Sequence, residues 1–226
     1  ITTLFFFIIL IFTTTAFGQN QSAEQEKQVV ATIDGEEVYM SELNQATNLQ
    51  QTMVQIQNQN PQFVRYLYSS PEGQQFLQAF QRDQLNNLIS RKLLEREAER
   101  EEITLTQEDK DQYFQEQIEM IKQQNNMTEE QLLSALEKQG ISSMDDFKQR
   151  FIQQQESNLI VQKFIEEVVL NEVNISDEQA KNVYDQGQFQ VSFEEVKDQI
   201  KQNLAQQKYI NQLKEESDIQ INLNNN

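Results

Sequence analysis

Apolar and polar positions alternate along the chain in several distinct regimes. Leu4 to Phe12 is an unbroken apolar run. A polar, Gln-rich stretch follows. Val29-Val30-Ala31-Thr32-Ile33, then Asp34-Gly35, then Glu36-Glu37-Val38-Tyr39 reads as a hairpin, because Asp-Gly tolerates positive φ at both centres of a type I′ turn. From Ser41, a plausible N-cap, the pattern turns helical and is expected to stay so to about Asn58, where Pro61 breaks it. Ser70-Pro71-Glu72 restarts it with a cap and a proline at the first helical position. This helix should run from Glu72 to near Glu101, with Phe76, Phe80, Leu85, Leu88, Ile89 and Leu93 as its core stripe.

Five further helix starts can be read. Thr106-Gln107-Glu108-Asp109 opens a helix to about Gln124, and Thr128-Glu129-Glu130-Gln131 a short one closed by Gly140. Ser143 precedes a long helix to about Leu170, with Phe147, Phe151, Val161, Ile165 and Val168 facing inward. Ser176-Asp177-Glu178-Gln179 opens another, which breaks at Asp185-Gln186-Gly187. Ser192 then caps a last helix to about Glu216, with Phe193, Val196, Ile200, Leu204 and Leu213 as its stripe. Asp218 to Leu223 alternates as a strand, and the N-terminal hairpin is the sheet it can join. The expected fold is mainly α, with a small β element made by an N-terminal hairpin and a C-terminal strand.

The apolar run changes the picture at the N-terminus. It is followed by Ala16 and Gly18 at the −3 and −1 positions for cleavage before Gln19. Residues 1–18 are therefore read as a signal peptide, although Ile1 stands where an initiating Met and a basic region belong. Cleavage is favoured over a retained membrane anchor, and the location is exported: a periplasm or another extracytoplasmic space. Residues 19–28 form a loose leader, and 29–223 the folded part, divided into 29–187 and a returning helix and strand at 190–223. Roughly 200 residues suffice for one sizeable core or two small ones.

Composition mainly removes function classes. The net charge of −18 begins only at Glu24, and so acidic a domain repels nucleic acid phosphates and anionic lipid. Solubility or a saline habitat accounts for the acidity as well as client attraction does. With no Cys and no His, thiolate and histidine-based nucleophiles and nearly all zinc chemistry are excluded. Only 5 Gly are present, and no phosphate-cradling glycine motif can be written. No cofactor, metal or small-molecule substrate is expected. Acidic residues are too numerous for any pair to stand out as a glycan-cleaving site, and Trp is absent. Arg91, Lys92, Arg96 and Arg100 alternate with Glu95, Glu97, Glu99 and Glu101, which reads as a solvated face laced with i,i+4 pairs. The sequons at Asn126 and Asn174 place their Thr and Ser at helix caps, so glycosylation is not expected.

Residues 30–38, 88–94, 103–109, 127–132, 136–142, 147–152 and 173–178, taken in this order, resemble segments of the SurA, PrsA and PpiD-like chaperones. Residues 30–38 (VATIDGEEV) are similar to their opening strand and turn, and Leu88-Ile89-Ser90-Arg91-Lys92-Leu93-Leu94 to their L-I-x-x-x-L-L segment. Residues 103–109 (ITLTQED), 127–132 (MTEEQL), 136–142, 147–152 (FKQRFI) and 173–178 (VNISDE) follow in the family's order. The likeness covers about 29–223, apart from an insertion-like stretch near 50–80. In prolyl-isomerase members a parvulin domain follows the helix corresponding to Ser176–Tyr184, and the chain returns through a segment similar to Phe193-Glu194-Glu195-Val196-Lys197-Asp198-Gln199-Ile200. Here Tyr184 and Phe193 are separated by a short connection, so the resemblance implies a peptide-binding domain without its isomerase. It implies a non-catalytic holdase for unfolded secreted or outer-membrane proteins.

A holdase needs exposed, adaptable apolar surface beside polar groups able to meet main-chain amides. The stretch 53–80 mixes aromatics, Met and Gln between two prolines, and Met53, Ile56, Phe63, Tyr66, Tyr68, Phe76 and Phe80 are its candidate peptide-binding residues. The alternative is that these rings pack as satellite core. The expected partners are unfolded client polypeptides, with a homodimer as a further state. An alternative function is a cell-envelope scaffold that oligomerises through its helices, although no heptad pattern runs for three repeats.

Overall fold

The computed structural model describes residues 27–47, 49–187 and 189–223. The expected signal peptide and most of the leader lie outside these residues. The chain forms two compact units: Ile1–Gln84 with Gln220–Asn226, and Leu85–Ile219. None of the described helices is long and apolar enough to cross a membrane.

The first unit opens with β1 (Val29–Ile33) and β2 (Glu36–Tyr39), paired antiparallel with an irregularity between Val29 and Ala31. Asp34 and Gly35 have φ of 51° and 86°, the two left-handed residues that a type I′ turn requires. β3 (Ile219–Ile221) completes the sheet in the order β2-β1-β3, and the Asn222 N–H donates to the Val30 carbonyl at 2.8 Å. Val30, Ala31, Ile33, Val38 and Leu43 are buried with the sheet.

The helical part departs from the simple periodic reading. α1 (Met40–Thr47) begins one residue before Ser41, which lies inside it. Its first turn is closed by Glu42, whose carboxylate accepts the Tyr39 N–H at 3.0 Å. A second helix, α2 (Leu49–Gln59), follows as a separate element. Pro61 does not end helical structure: it opens α3 (Pro61–Ser69). A proline at the first helical position forfeits no intrahelical bond, and Asn60 caps the helix by accepting the Phe63 N–H at 3.1 Å. Ser70 likewise accepts the Gly73 N–H at 3.0 Å at the head of α4 (Pro71–Arg100).

The second unit begins within α4, where Leu85, Leu88, Ile89, Leu93, Leu94 and Ala98 are buried. α5 (Gln107–Asn125) and α6 (Glu129–Glu137) carry the capping boxes that their leading Thr residues predict. Gly140, at φ 79°, turns the chain after α6. α7 (Met144–Phe164) continues through a π-helical turn, Ile165–Val169, into Leu170–Glu172. α8 (Asp177–Gln186) and α9 (Phe193–Glu216) pack together, as Asp177 pairs with Lys197 at 2.8 Å and with Lys201. Those two ammonium groups hold the Asp177 carboxyl at about 2.

Two expected stripes are corrected. Phe76 is 57% exposed and Phe80 half-buried, so the core stripe of α4 starts at Leu85. On α7 the deepest residues are Phe147, Ile152, Leu159, Phe164 and Val169, while Phe151, Val161, Ile165 and Val168 are half-buried beside them. The first part of α7 packs on α5, through Phe114–Phe147 and Phe114–Phe151 ring pairs at 5.6 and 5.8 Å. Its far end faces α9, where Phe164 meets Tyr209 at 5.8 Å. The buried face therefore rotates along the helix, and the π turn, with an extra residue per turn, shifts it again.

The charged face of α4 is only partly solvated. Arg91 and Glu95 form an i,i+4 pair at 2.8 Å, but Glu97 is 7% exposed and pairs with Arg100 at 2.8 Å. Lys163 of α7 donates to Asp109 at 2.6 Å and to the Thr104 carbonyl at 3.0 Å, tying α7 to the head of α5.

Candidate functional site

The seven candidate residues lie on α2, α3 and the start of α4, all within the first unit. Their local order follows from two short helix starts. The Asn60 N–H bonds to the Ile56 carbonyl at 2.6 Å while its side chain caps α3, so the chain passes from α2 into α3 over one residue. The Ser70 N–H bonds to the Tyr66 carbonyl at 2.9 Å while its hydroxyl serves Gly73, and α4 begins at once. Gln74 Nε2 adds a 3.1 Å bond to the Tyr68 carbonyl. Gly73 is required by space rather than by φ. A Cβ there would lie 2.5 Å from the Leu67 Cα and 2.6 Å from the Leu67 and Tyr66 carbonyl oxygens.

This tight corner divides the apolar residues into two sets. Met53, Val64 and Leu67 are buried and form the support. Phe63, Tyr66, Tyr68 and Phe76 remain 45%, 51%, 57% and 57% exposed, and Ile56 and Phe80 are half-buried. Met53 thus lies beneath the surface that its composition suggested it would help form. Val54, 57% exposed on α2, belongs with the exposed set and was not among the candidates. Its signal was present in the sequence: Met53 and Val54 are consecutive, and a helix cannot bury both on one narrow face.

The exposed rings do not make one stack. With Val64 and Leu67 turned inward, helical geometry places Phe63 and Tyr66, three residues apart, on one flank of the buried stripe and Tyr68 on the other. On α4, Phe76 and Phe80 are one turn apart and stacked, with centroids at 6.3 Å and 21° between planes. Among the described residues no ring pair joins this stack to the α3 aromatics. The surface offers separated aromatic contacts rather than an enclosed slot.

The surroundings contain no concentrated chemistry. Arg65, Glu72, Arg82 and Asp83 are the nearby charges on α3 and α4, spread along the exposed faces. Among the described residues no three acidic side chains gather closely enough to hold a metal ion. The exposed side chains of this surface are mainly apolar and aromatic.

The connection between α8 and α9 carries a second aromatic group. Tyr184 stacks on Phe189 at 5.1 Å and meets Phe193 edge-on at 5.5 Å. Lys181 lies over the Tyr184 and Phe193 rings at 5.5 and 5.4 Å, and the Tyr184 hydroxyl donates to the Val191 carbonyl at 2.7 Å. These contacts draw the ends of the two helices together across a short link.

Comparison with known proteins places this architecture. A family model described as the SurA-like N-terminal domain matches residues 1–165. The chain is similar to a protein named foldase protein PrsA from Clostridium botulinum (strain Langeland), 22% identical over 180 residues, covering 80% of this chain and 51% of the relative. It is also similar to one of the same name from Clostridium perfringens (strain SM101), 27% identical over 175 residues, covering 76% and 47%. The chain spans about half the length of the curated relatives it matches.

Proposed function

Because the chain belongs to the SurA-like N-terminal domain family, we propose that it is a non-catalytic chaperone that holds unfolded client polypeptides outside the cytoplasm. The observation that carries this reading is the exposure of Phe63, Tyr66, Tyr68 and Phe76 on a tightly packed corner of helices. Aromatic side chains left in water on an otherwise polar, acidic chain lose the stability their burial would bring. A client's apolar segment can recover it. The rings are separated, so they suit scattered apolar residues of an unfolded chain better than one compact ligand. The high negative charge keeps the protein soluble despite that surface.

The non-catalytic part of the proposal rests on composition and on the interior of the chain. There is no His, and the link 187–192 between α8 and α9 is too short to house the isomerase domain that the resemblance would put there. The extracytoplasmic part rests on the apolar run Leu4–Phe12 and the small residues after it.

The test is suppression of aggregation of a denatured secreted protein by a few-fold excess of this chain. Phe63, Tyr66 and Tyr68 replaced together by Ser form the key variant. The expected result is suppression by the parent, strong loss in the triple variant, and unchanged helicity and melting in both. No acceleration of a proline-limited refolding reaction is expected. Full holding activity in the triple variant would refute the assignment of these rings. Catalysed prolyl isomerisation would refute the non-catalytic reading.

A further inference from the structure

The small sheet has two edges, and the sequence treats them differently. In the order β2-β1-β3 the outer strands are β2 and β3. β2 carries Glu36 and Glu37, both exposed and directed to opposite faces, and such charges guard an edge against pairing with another chain. β3 has no such guard. From Ile219 to Asn226 there is no charged side chain and no proline, although 24% of the whole chain is charged. Ile221 is 43% exposed, and Gln220 is exposed beside it.

The hydrogen bonding shows which groups this edge presents. The Asn222 N–H donates to the Val30 carbonyl of β1. Main-chain groups of successive residues in a strand point to alternate sides. Those of Gln220 therefore point toward β1 with those of Asn222, while those of Ile219 and Ile221 point away from the sheet. Among the described strands none lies on that outer side.

The strand's own sequence selects what can pair there. Asp218-Ile219-Gln220-Ile221-Asn222 reads nearly the same in both directions. An antiparallel second copy centred on Gln220 puts Ile219 opposite Ile221 of the second copy, and Ile221 opposite Ile219. Each is a hydrogen-bonded pair, which gives about four main-chain bonds, and the branched side chains meet on one face. At the ends Asp218 lies opposite the amide of Asn222, not opposite another carboxylate. In a chain of net charge −18, where like charge opposes contact between copies, this segment is one that a second copy can approach. The same operation on β2 would crowd Glu36 and Glu37 of both copies.

We infer that β3 is a self-association strand: two copies pair antiparallel through Ile219–Ile221, with a two-fold axis at Gln220, and make one continuous sheet. Such pairing is isologous and stops at two copies. A strand this short buries well under about 1,000 Å², so the dimer is a transient one. The inference is independent of the chaperone reading, because no client-binding residue enters it.

The chain contains no Cys, so a single introduced one reports the register. In the paired strands Gln220 faces its own counterpart as a non-hydrogen-bonded pair, with Cα atoms about 4.5 Å apart and within disulfide reach. Asn222 is also exposed and on the same face, but its counterpart lies about 13 Å further along the strand. The full chain is used, purified as its expressing cell leaves it. Under mild oxidation Gln220→Cys is expected to form a covalent dimer about tenfold faster than Asn222→Cys, or more. Sedimentation equilibrium of the unsubstituted chain, in salt that screens its charge, should show a mass rising with concentration to that of two copies and no further. Ile221→Lys supplies the missing guard and should weaken association about tenfold, with parental circular dichroism and melting. It also lowers the net negative charge, so added repulsion between copies cannot be the cause. Equal crosslinking of the two cysteine variants, an unsubstituted chain that stays monomeric to about 1 mM, or an Ile221→Lys protein that associates like the parent would overturn the inference. Crosslinking of Gln220→Cys to an unrelated cysteine-bearing extended peptide as fast as to itself would also overturn it, since the edge would then accept any extended chain.

Discussion

Replacing Gly73 by Ala sets two opposing effects against each other at one atom. Gly73 lies in the first turn of α4, and its φ is not positive, so the backbone itself accepts any residue. On propensity alone, glycine to alanine in a helix stabilises by about 0.5–1 kcal/mol. The added methyl would stand 2.5 Å from the Leu67 Cα and 2.6 Å from the carbonyl oxygens of Leu67 and Tyr66. Carbon atoms in ordinary contact lie at about 3.5–4.0 Å, so α3 must retreat by about 1 Å. The obstacle is backbone, which has no rotamer to change, and overpacking of this kind costs about 1–3 kcal/mol. The expected net effect is a loss of about 1–2 kcal/mol, toward the upper end because backbone blocks the methyl. Urea unfolding followed by circular dichroism measures the total. Hydrogen exchange over residues 61–70 should show roughly tenfold loss of protection, since a factor of ten corresponds to about 1.4 kcal/mol. Ala79→Gly, at an exposed position of the same helix, is the control. It should lose about 0.5–1 kcal/mol by propensity alone, without changing protection of α3. A Gly73→Ala protein as stable as the parent, or more stable, would refute the close packing of α3 on α4 at the corner that exposes the aromatic rings.

Two further outcomes test the second unit. Phe164→Ala removes a fully buried ring packed against Tyr209 and should cost about 3–5 kcal/mol in urea unfolding, while a loss below about 1 kcal/mol would place the α7–α9 contact elsewhere. Asp109 is held at about 2, first by Lys163 and then by the Thr106 backbone and hydroxyl, against an ordinary value of 3.8. Its contribution is therefore full above about pH 4 and fades as pH falls toward 2. The stability difference between the parent and Asp109→Asn should shrink over that window, and a difference independent of pH would remove the Lys163 link as its cause.

The family resemblance was legible because its signals are local. Capping boxes at Thr106, Thr128 and Ser176 and the Asp34-Gly35 turn are written in a few adjacent residues each, and the structure realises all of them. The strand at Ile219–Ile221 was legible for a related reason: period-two alternation near the end of a helical chain left the hairpin as its available partner. The candidate surface was legible only as composition. A run containing Met53, Phe63, Tyr66, Tyr68 and Phe76 could equally have been satellite core, because side-chain chemistry is the same in both cases. The break before Pro61 was legible, as the preceding helix ends at Gln59, but the new helix that Pro61 opens was not, because it depends on Asn60 capping it, which is a matter of geometry.

The sequence by itself determined the helical class, the places where most helices begin and end, the acidic and nucleophile-poor character, and the short link between Tyr184 and Phe193. Each depends on a residue and its neighbours within about one helical turn. Tertiary structure alone decided which apolar residues are covered. Met53 went in while Val54 stayed out, Phe76 was left in water while Leu85 became core, and the buried face of α7 turned as its packing partner changed from α5 to α9. Burial is a property of what lies across from a side chain, and in this chain that neighbour is often far away in sequence.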